Sequence, residues 1–248
     1  ISHRLGEVTE LADRVTVMRD GENAGDLSVD EISHDRMVQL MVGREVSQLY
    51  SRTPKEPGDV ILEVSDLVTF AHPTQALSFS VRKGEIVGVS GLVGAGRTEM
   101  LQVLFGVEPR LSGDVRIAGK SLALKSPLDA INAGMVLVPE DRKQQGVVLE
   151  MAVRSNIGLA GLNRNKRSFG WLNANQEAAD SQDMTERLRI KTPSQEQIVQ
   201  FLSGGNQQKV VLGKWLSMKP DILLLDEPTR GIDVGAKQEI YSLMEDLA

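Results

Sequence analysis

Leu202-Ser203-Gly204-Gly205-Asn206-Gln207-Gln208-Lys209 sets a capping serine ahead of two glycines and a helical apolar face of Val210, Val211, Leu212 and Trp215 that stops before Pro220. With no side chains over its first turn, such a helix presents orphan amides and the positive end of its dipole to solvent, which is an anion site. The anion expected is a phosphate. A second stretch, Gly91-Leu92-Val93-Gly94-Ala95-Gly96-Arg97-Thr98, follows the apolar Ile86-Val87-Gly88-Val89 and runs into a helical pattern of Met100, Leu101, Leu104 and Phe105 closed by Gly106. Strand, glycine loop and helix are the context that a phosphate-binding loop requires. A third, Asp226-Glu227, ends the apolar run Ile222-Leu223-Leu224-Leu225.

Each residue type has a chemical reason. Glycines let successive amides wrap a phosphate, a cation meets its outer oxygens, and a hydroxyl reaches Mg²⁺. Gly91, Gly94, Gly96 and Thr98 supply these parts, but Arg97 stands where lysine is expected. A guanidinium is a planar fork rather than a compact point charge, so the exchange favours binding over efficient hydrolysis at this loop. Asp226, at the carboxyl end of a buried strand, is placed to hold Mg²⁺ through water. Glu227 is placed to orient or deprotonate an attacking water.

The surrounding chain must position these parts. After Ser2-His3 the chain reads as an apolar-spaced helix through Leu11, Val15 to Met18 and the weaker return strand Ala24 to Leu27 as a hairpin turned by Asp20-Gly21, and Asp30 to Val42 as a helix with Ile32, Met37, Leu40 and Met41 inward. Linker composition follows up to Asp59, with Pro54, Pro57 and Gly58. Ile61 to Val64 and Ala76 to Val81 alternate like antiparallel strands, whereas Ile86 to Val89 and Met135 to Val138 have no polar face and read as buried strands. Ser126-Pro127 starts a short helix that Gly134 closes. From Val153 to Glu196 polar helical sequence dominates, with a basic loop at Asn163 to Arg167.

The 248 residues carry 28 Lys and Arg against 34 Asp and Glu, a net charge of -6, which argues against nucleic acid as a principal partner. The absence of cysteine excludes disulfides and thiolate metal sites. No apolar run approaches the roughly 20 residues that span a bilayer. The chain opens at Ile1 and stops at Ala248 within a helical pattern, the expectation for a piece of a longer protein.

Taken together, the glycine loop, the acidic pair and the octet resemble an ABC ATPase cassette: a signature at Leu202 to Gly205, a Walker A loop at Gly91 to Thr98, a Walker B strand at Ile222 to Glu227 and a D-loop aspartate at Asp233. Gly91 to Glu99, Val138-Pro139-Glu140-Asp141-Arg142 and Leu202 to Lys209 look like the second cassette of the double-cassette ATPases of bacterial monosaccharide importers. Ile1-Ser2-His3-Arg4-Leu5-Gly6-Glu7-Val8 resembles the switch-histidine segment of the first. The resemblance implies an α/β P-loop NTPase fold, a RecA-like core with an antiparallel β subdomain and a helical signature subdomain at about residues 151–218. It divides the chain into the tail of a first cassette (1–50), a linker (51–59) and a second cassette (60–248).

It also implies ATP and Mg²⁺ as ligands. Gly91, Gly94, Ala95, Gly96, Arg97, Thr98 and Glu99 would hold nucleotide, and Thr98, Asp226 and Glu140, at the Q-loop position, would face the metal. Phe70 would stack on adenine, or serve as a core phenylalanine. Glu227 and His3 would be catalytic, and His34 and His72 fall in no motif. Two cassettes of this kind close head to tail, so Ser203, Gly204 and Gly205 would serve a nucleotide held by a first cassette or a second ATPase copy, and the chain alone is expected to hydrolyse little ATP. Permease subunits, and through them a periplasmic sugar-binding protein, are the implied partners, on the cytoplasmic face of the bacterial inner membrane. A degenerate cassette that binds nucleotide without useful turnover is the alternative. Residues 1–50 either dock where the last part of the second cassette belongs or trail free.

Overall fold

The computed structural model describes residues 1, 5–19, 21–43, 55–162 and 173–248. They form two compact units, Ile1–Pro54 with Gly231–Leu247, and Lys55–Arg230 with Ala248.

The first unit begins with helix α1 (Leu5–Leu11) and the antiparallel pair β1 (Arg14–Arg19) and β2 (Glu22–Ser28). Arg19 pairs with Glu22, so β1 and β2 form the expected hairpin; Asp20 of the Asp-Gly turn lies outside the described residues. The single helix expected from Asp30 to Val42 is instead broken. A 3-10 turn at Val29–Glu31 is closed by Glu31, whose Oε2 accepts from the Ser28 amide at 3.0 Å and from Ser28 Oγ at 2.7 Å. A new helix, α2 (His34–Val42), then starts at Ser33, whose hydroxyl accepts from Arg36 N at 3.3 Å. Two local caps outcompete helix continuity because serine offers the backbone a partner outside the helical ladder. Leu5, Val17, Leu27, Met37 and Val38 are the buried core, with Ile32, Leu40 and Met41 packed around it.

In the second unit β3 (Val60–Thr69) lies between β4 (Leu77–Arg82) and β5 (Arg110–Ile117), all antiparallel, with the short β6 (Lys120–Ser121) at the far edge. Between β4 and β5 runs helix α3 (Arg97–Phe105), ended by Gly106 at φ 77°. Helix α4 (Pro127–Asn132) carries proline in its first turn behind a Ser126–Asp129 capping box. It leads to β7 (Met135–Val138), buried at all four positions, which pairs in parallel with β8 (Ile222–Leu225). Helices α5 (Val153–Gly158), α6 (Ala174–Arg187) and α7 (Gly204–Leu216) fill the interval between those strands. Leu62, Val64, Leu67, Leu104, Val115, Met135 and Leu224 share one core, and Trp215 meets Phe105 edge-on at 5.7 Å between ring centroids. The last helix, α8 (Val234–Leu247), returns to the first unit, where α2 packs against it.

One strand is missing. Ile86 to Val89 forms no ladder, and Val87 and Val89 are 40% and 50% exposed. Its apolar composition matched a central strand, but a strand persists through inter-strand hydrogen bonds. Among the described residues β7 pairs with β8 and β4 with β3, and no strand pairs with this segment. No described helix is long and apolar enough to cross a membrane.

Candidate nucleotide site

The glycine loop is shaped by its backbone. Ala95 N donates to Leu92 O at 3.0 Å, Gly94 and Gly96 take φ of 82° and 84°, and Gly96 caps α3 with no side-chain bond. A β-carbon at Gly91 would lie 2.9 Å from Ala95 Cβ, and one at Gly96 would lie 2.5 Å from the His72 imidazole. A larger residue at Gly91 or Gly96 would therefore collide with Ala95 or His72, and the left-handed backbone at Gly94 and Gly96 disfavours any other residue there. Leu92 and Val93 stand out at the loop tip, 86% and 99% exposed. Thr98 and Glu99 sit half-buried in the first helical turn. The shape fits a phosphate group received by backbone amides.

Asp226 is buried at the end of β8, its amide donating to Val138 O at 3.0 Å. Among the described residues no three His, Asp or Glu side chains converge as a metal cage. A divalent ion here would draw on Asp226 and the Thr98 hydroxyl and complete its shell with phosphate and water, which suits Mg²⁺, a cation reluctant to dehydrate.

Glu227 follows with φ 40°, a left-handed backbone costing on the order of 1–3 kcal/mol in a non-glycine residue. Its carbonyl accepts from Arg230 N at 2.9 Å. Arg230 is itself held twice: its guanidinium pairs with Glu140, and its carbonyl accepts from Arg142 Nη1 at 3.0 Å. Glu140, assigned by resemblance to a metal-facing role, thus spends its carboxylate on the turn that carries Glu227. Asp141 caps the following π-turn, accepting from Lys143 N at 2.9 Å and Gln144 N at 3.1 Å. The phosphate loop and the acidic pair meet directly, since Arg97 Nη2 donates to Glu227 Oε1 at 3.4 Å. With side chains 31% and 43% exposed, this pair contributes about 0.2–1 kcal/mol.

The start of α7 is built separately. Ser203 Oγ accepts from Asn206 N at 3.4 Å and Asn206 Nδ2 at 2.9 Å, while Asn206 Oδ1 takes the Lys191 amide at 2.8 Å. Gly204 and Gly205 put no side chain over these amides. The cations further along serve the fold. Lys209 Nζ donates to Arg189 O at 2.9 Å, and Lys214 Nζ to Gly146 O at 2.5 Å, 5.0 Å from the Trp215 ring centre. Burial lowers Lys214 to about 8.

Phe70 lies 58% exposed just beyond β3, free to stack rather than buried in the core. His72, two residues on, carried no motif, yet its ring lies against Gly96 and its amide donates to Thr69 Oγ1 at 3.3 Å. Nothing in the sequence signals this, because the approach depends on where β3 ends. His34 pairs with the adjacent Asp35 on the surface. Asp233 caps α8, its Oδ1 accepting from Ala236 N at 2.9 Å. His3 and the basic loop 163–167 lie outside the described residues.

The family described as ABC transporter matches residues 74–230, more than half of the chain. The chain belongs to the ABC transporter family. Among its ABC relatives, it is 46% identical over 250 residues to the ribose import ATP-binding protein RbsA 2 of Burkholderia pseudomallei, covering 100% of this chain and 48% of that protein. It is 47% identical to the ribose import ATP-binding protein RbsA of Bacillus licheniformis, covering 100% of this chain and 50% of that one. The chain thus spans about half the length of the curated relatives it matches. Solved cassettes share the fold. A nucleotide-free ATP-binding cassette from an ABC transporter aligns with TM-score 0.66 at 22% identity, covering 76% of this chain and 77% of the other. A cassette in a dimeric post-hydrolysis state bound to ADP and Pi aligns with TM-score 0.62 at 18% identity, covering 75% and 82%.

Proposed function

We propose that this chain is part of the ATP-binding, ATP-hydrolysing subunit of a monosaccharide importer. The observation that carries the reading is the apposition of Arg97 and Glu227, which brings a phosphate-shaped helix start and a strand-end acid pair to one place. The sugar class is supported by the relatives, which are named as ribose import proteins. Gly91, Gly94, Ala95 and Gly96 would wrap the phosphates with backbone amides, and Arg97 would meet their outer oxygens. Thr98 and Asp226 would hold Mg²⁺, and Glu140 would reach it only by giving up its pairing with Arg230. When bound, the metal neutralises charge accumulating on the phosphate oxygens. Glu227 would orient the attacking water or accept its proton, Phe70 would stack on the base, and Glu99 would support the first turn of α3.

Ser203, Gly204 and Gly205, with His3, would complete a site on another cassette, whether a first cassette of the same polypeptide or a second copy. Work at the cytoplasmic face of the bacterial inner membrane, against permease subunits supplied by a periplasmic sugar-binding protein, completes the reading. Residues 1–50 would dock rather than trail, a reading supported by the packing of α2 on α8. ATP hydrolysis by the full-length protein tests the assignment: Glu227→Gln should lower turnover at least tenfold with nucleotide binding retained, and an unchanged rate would refute a catalytic role for this acid pair.

A further inference from the structure

We infer that Arg97 and Glu227 form an interlock in which the carboxylate and a nucleotide phosphate are alternative acceptors for one guanidinium. The inference rests on the nucleotide-binding reading of this loop and adds a rule of order: Glu227 is released for its chemistry only when a phosphate takes Arg97. Three features carry it. The first is the contact itself, a single 3.4 Å hydrogen bond between residues 130 positions apart in sequence. A single bond at a partly exposed site is weak, whereas a phosphate offers a guanidinium two parallel charge-assisted bonds, so the phosphate wins the competition.

The second is that Glu227 does not depend on Arg97 for its place. Its backbone sits at φ 40° in a turn closed by Arg230 N, and that turn is pinned by Glu140 and Arg142. Losing Arg97 therefore frees the carboxylate without moving the residue that bears it. The third is the side chain at position 97. A lysine offers one ammonium centre, but the planar fork of arginine reaches sideways from the first turn of α3 toward the end of β8. The exchange of lysine for arginine thereby couples loop and acid, so the position gains a function where the motif alone reads as a loss.

The test is a double-mutant cycle on the 248-residue chain, with ADP affinity measured by titration calorimetry for the parent protein, E227Q, R97A and the double variant. Removing a negative charge beside the site tightens ADP in any background by reducing repulsion. The interlock requires an additional gain where Arg97 is present, so E227Q should tighten ADP about 1.5- to 5-fold more with Arg97 than in the R97A background, the range for a partly exposed pair. If R97A binds too weakly to close the cycle, R97K replaces it, keeping a cation for the phosphate without the fork. Equal gains in both backgrounds, or weaker binding by E227Q because the fork bridges both groups at once, would overturn the interlock while leaving the site intact. Absence of ADP binding in every protein, E227Q included, would overturn the nucleotide reading and the interlock with it.

Discussion

Replacing Lys214 by methionine should abolish a rise in stability with pH that the parent protein shows between about pH 8 and pH 10.5. Lys214 is 9% exposed on α7, and burial lowers its proton affinity from the ordinary 10.5 to about 8. The charged form is thus disfavoured by folding. Between the two values the unfolded chain binds the proton and the folded chain does not, and stability increases with pH wherever the unfolded state holds more protons. Below about pH 8 the folded protein carries the full cost of the buried ammonium. Above about pH 10.5 both states are neutral and that cost is gone. At 1.36 kcal/mol per pH decade the difference approaches about 3 kcal/mol.

The bond to Gly146 O and the Trp215 ring offset part of that cost, so Lys214→Met at pH 7 exchanges an expensive charge for a stranded carbonyl, a loss of about 1–3 kcal/mol. Its net effect at pH 7 should be small, and the information lies in the slope. Urea unfolding followed by Trp215 fluorescence in a Trp171→Phe background, at intervals from pH 7 to pH 10.5, isolates it. The parent curve should climb above the Lys214→Met curve by up to about 3 kcal/mol across the window. Parallel curves would refute the claim that this lysine is buried as an ammonium.

Two further outcomes follow from the packing. Asn156, fully buried, receives the Val148 amide at 2.8 Å and donates to the carbonyls of Val148, Met151 and Ala152 at 2.9, 3.3 and 3.2 Å, so Asn156→Leu should cost about 3 kcal/mol in urea unfolding and loosen the approach to α5. In native-state amide exchange, Val17 and Leu27 should be protected, as buried members of a paired ladder; fast exchange throughout the β1–β2 hairpin would show that the first unit does not hold a core.

Much of the site was legible because its chemistry depends on short-range features. Ser203 caps α7, Gly96 and Gly106 bound α3, and Asp226 ends a buried strand, all readable from the order of residue types. Local rules also misled where two of them competed. The apolar period across residues 30–42 was right about the buried Met37, yet Ser33 split the helix, since a cap and a helical interior make opposite demands on one serine.

By itself the sequence determined the glycine loop, the capped signature helix and the acidic pair, because each is specified by backbone preferences within a few residues. Only the tertiary structure decided that Ile86 to Val89 stays unpaired, since a strand depends on a partner that its own residues cannot name. It alone set His72 against Gly96, gave Glu140 to Arg230 and joined Arg97 to Glu227. Those pairings connect residues far apart in sequence, and the placement of β3, β7 and β8 sets their geometry rather than any local propensity.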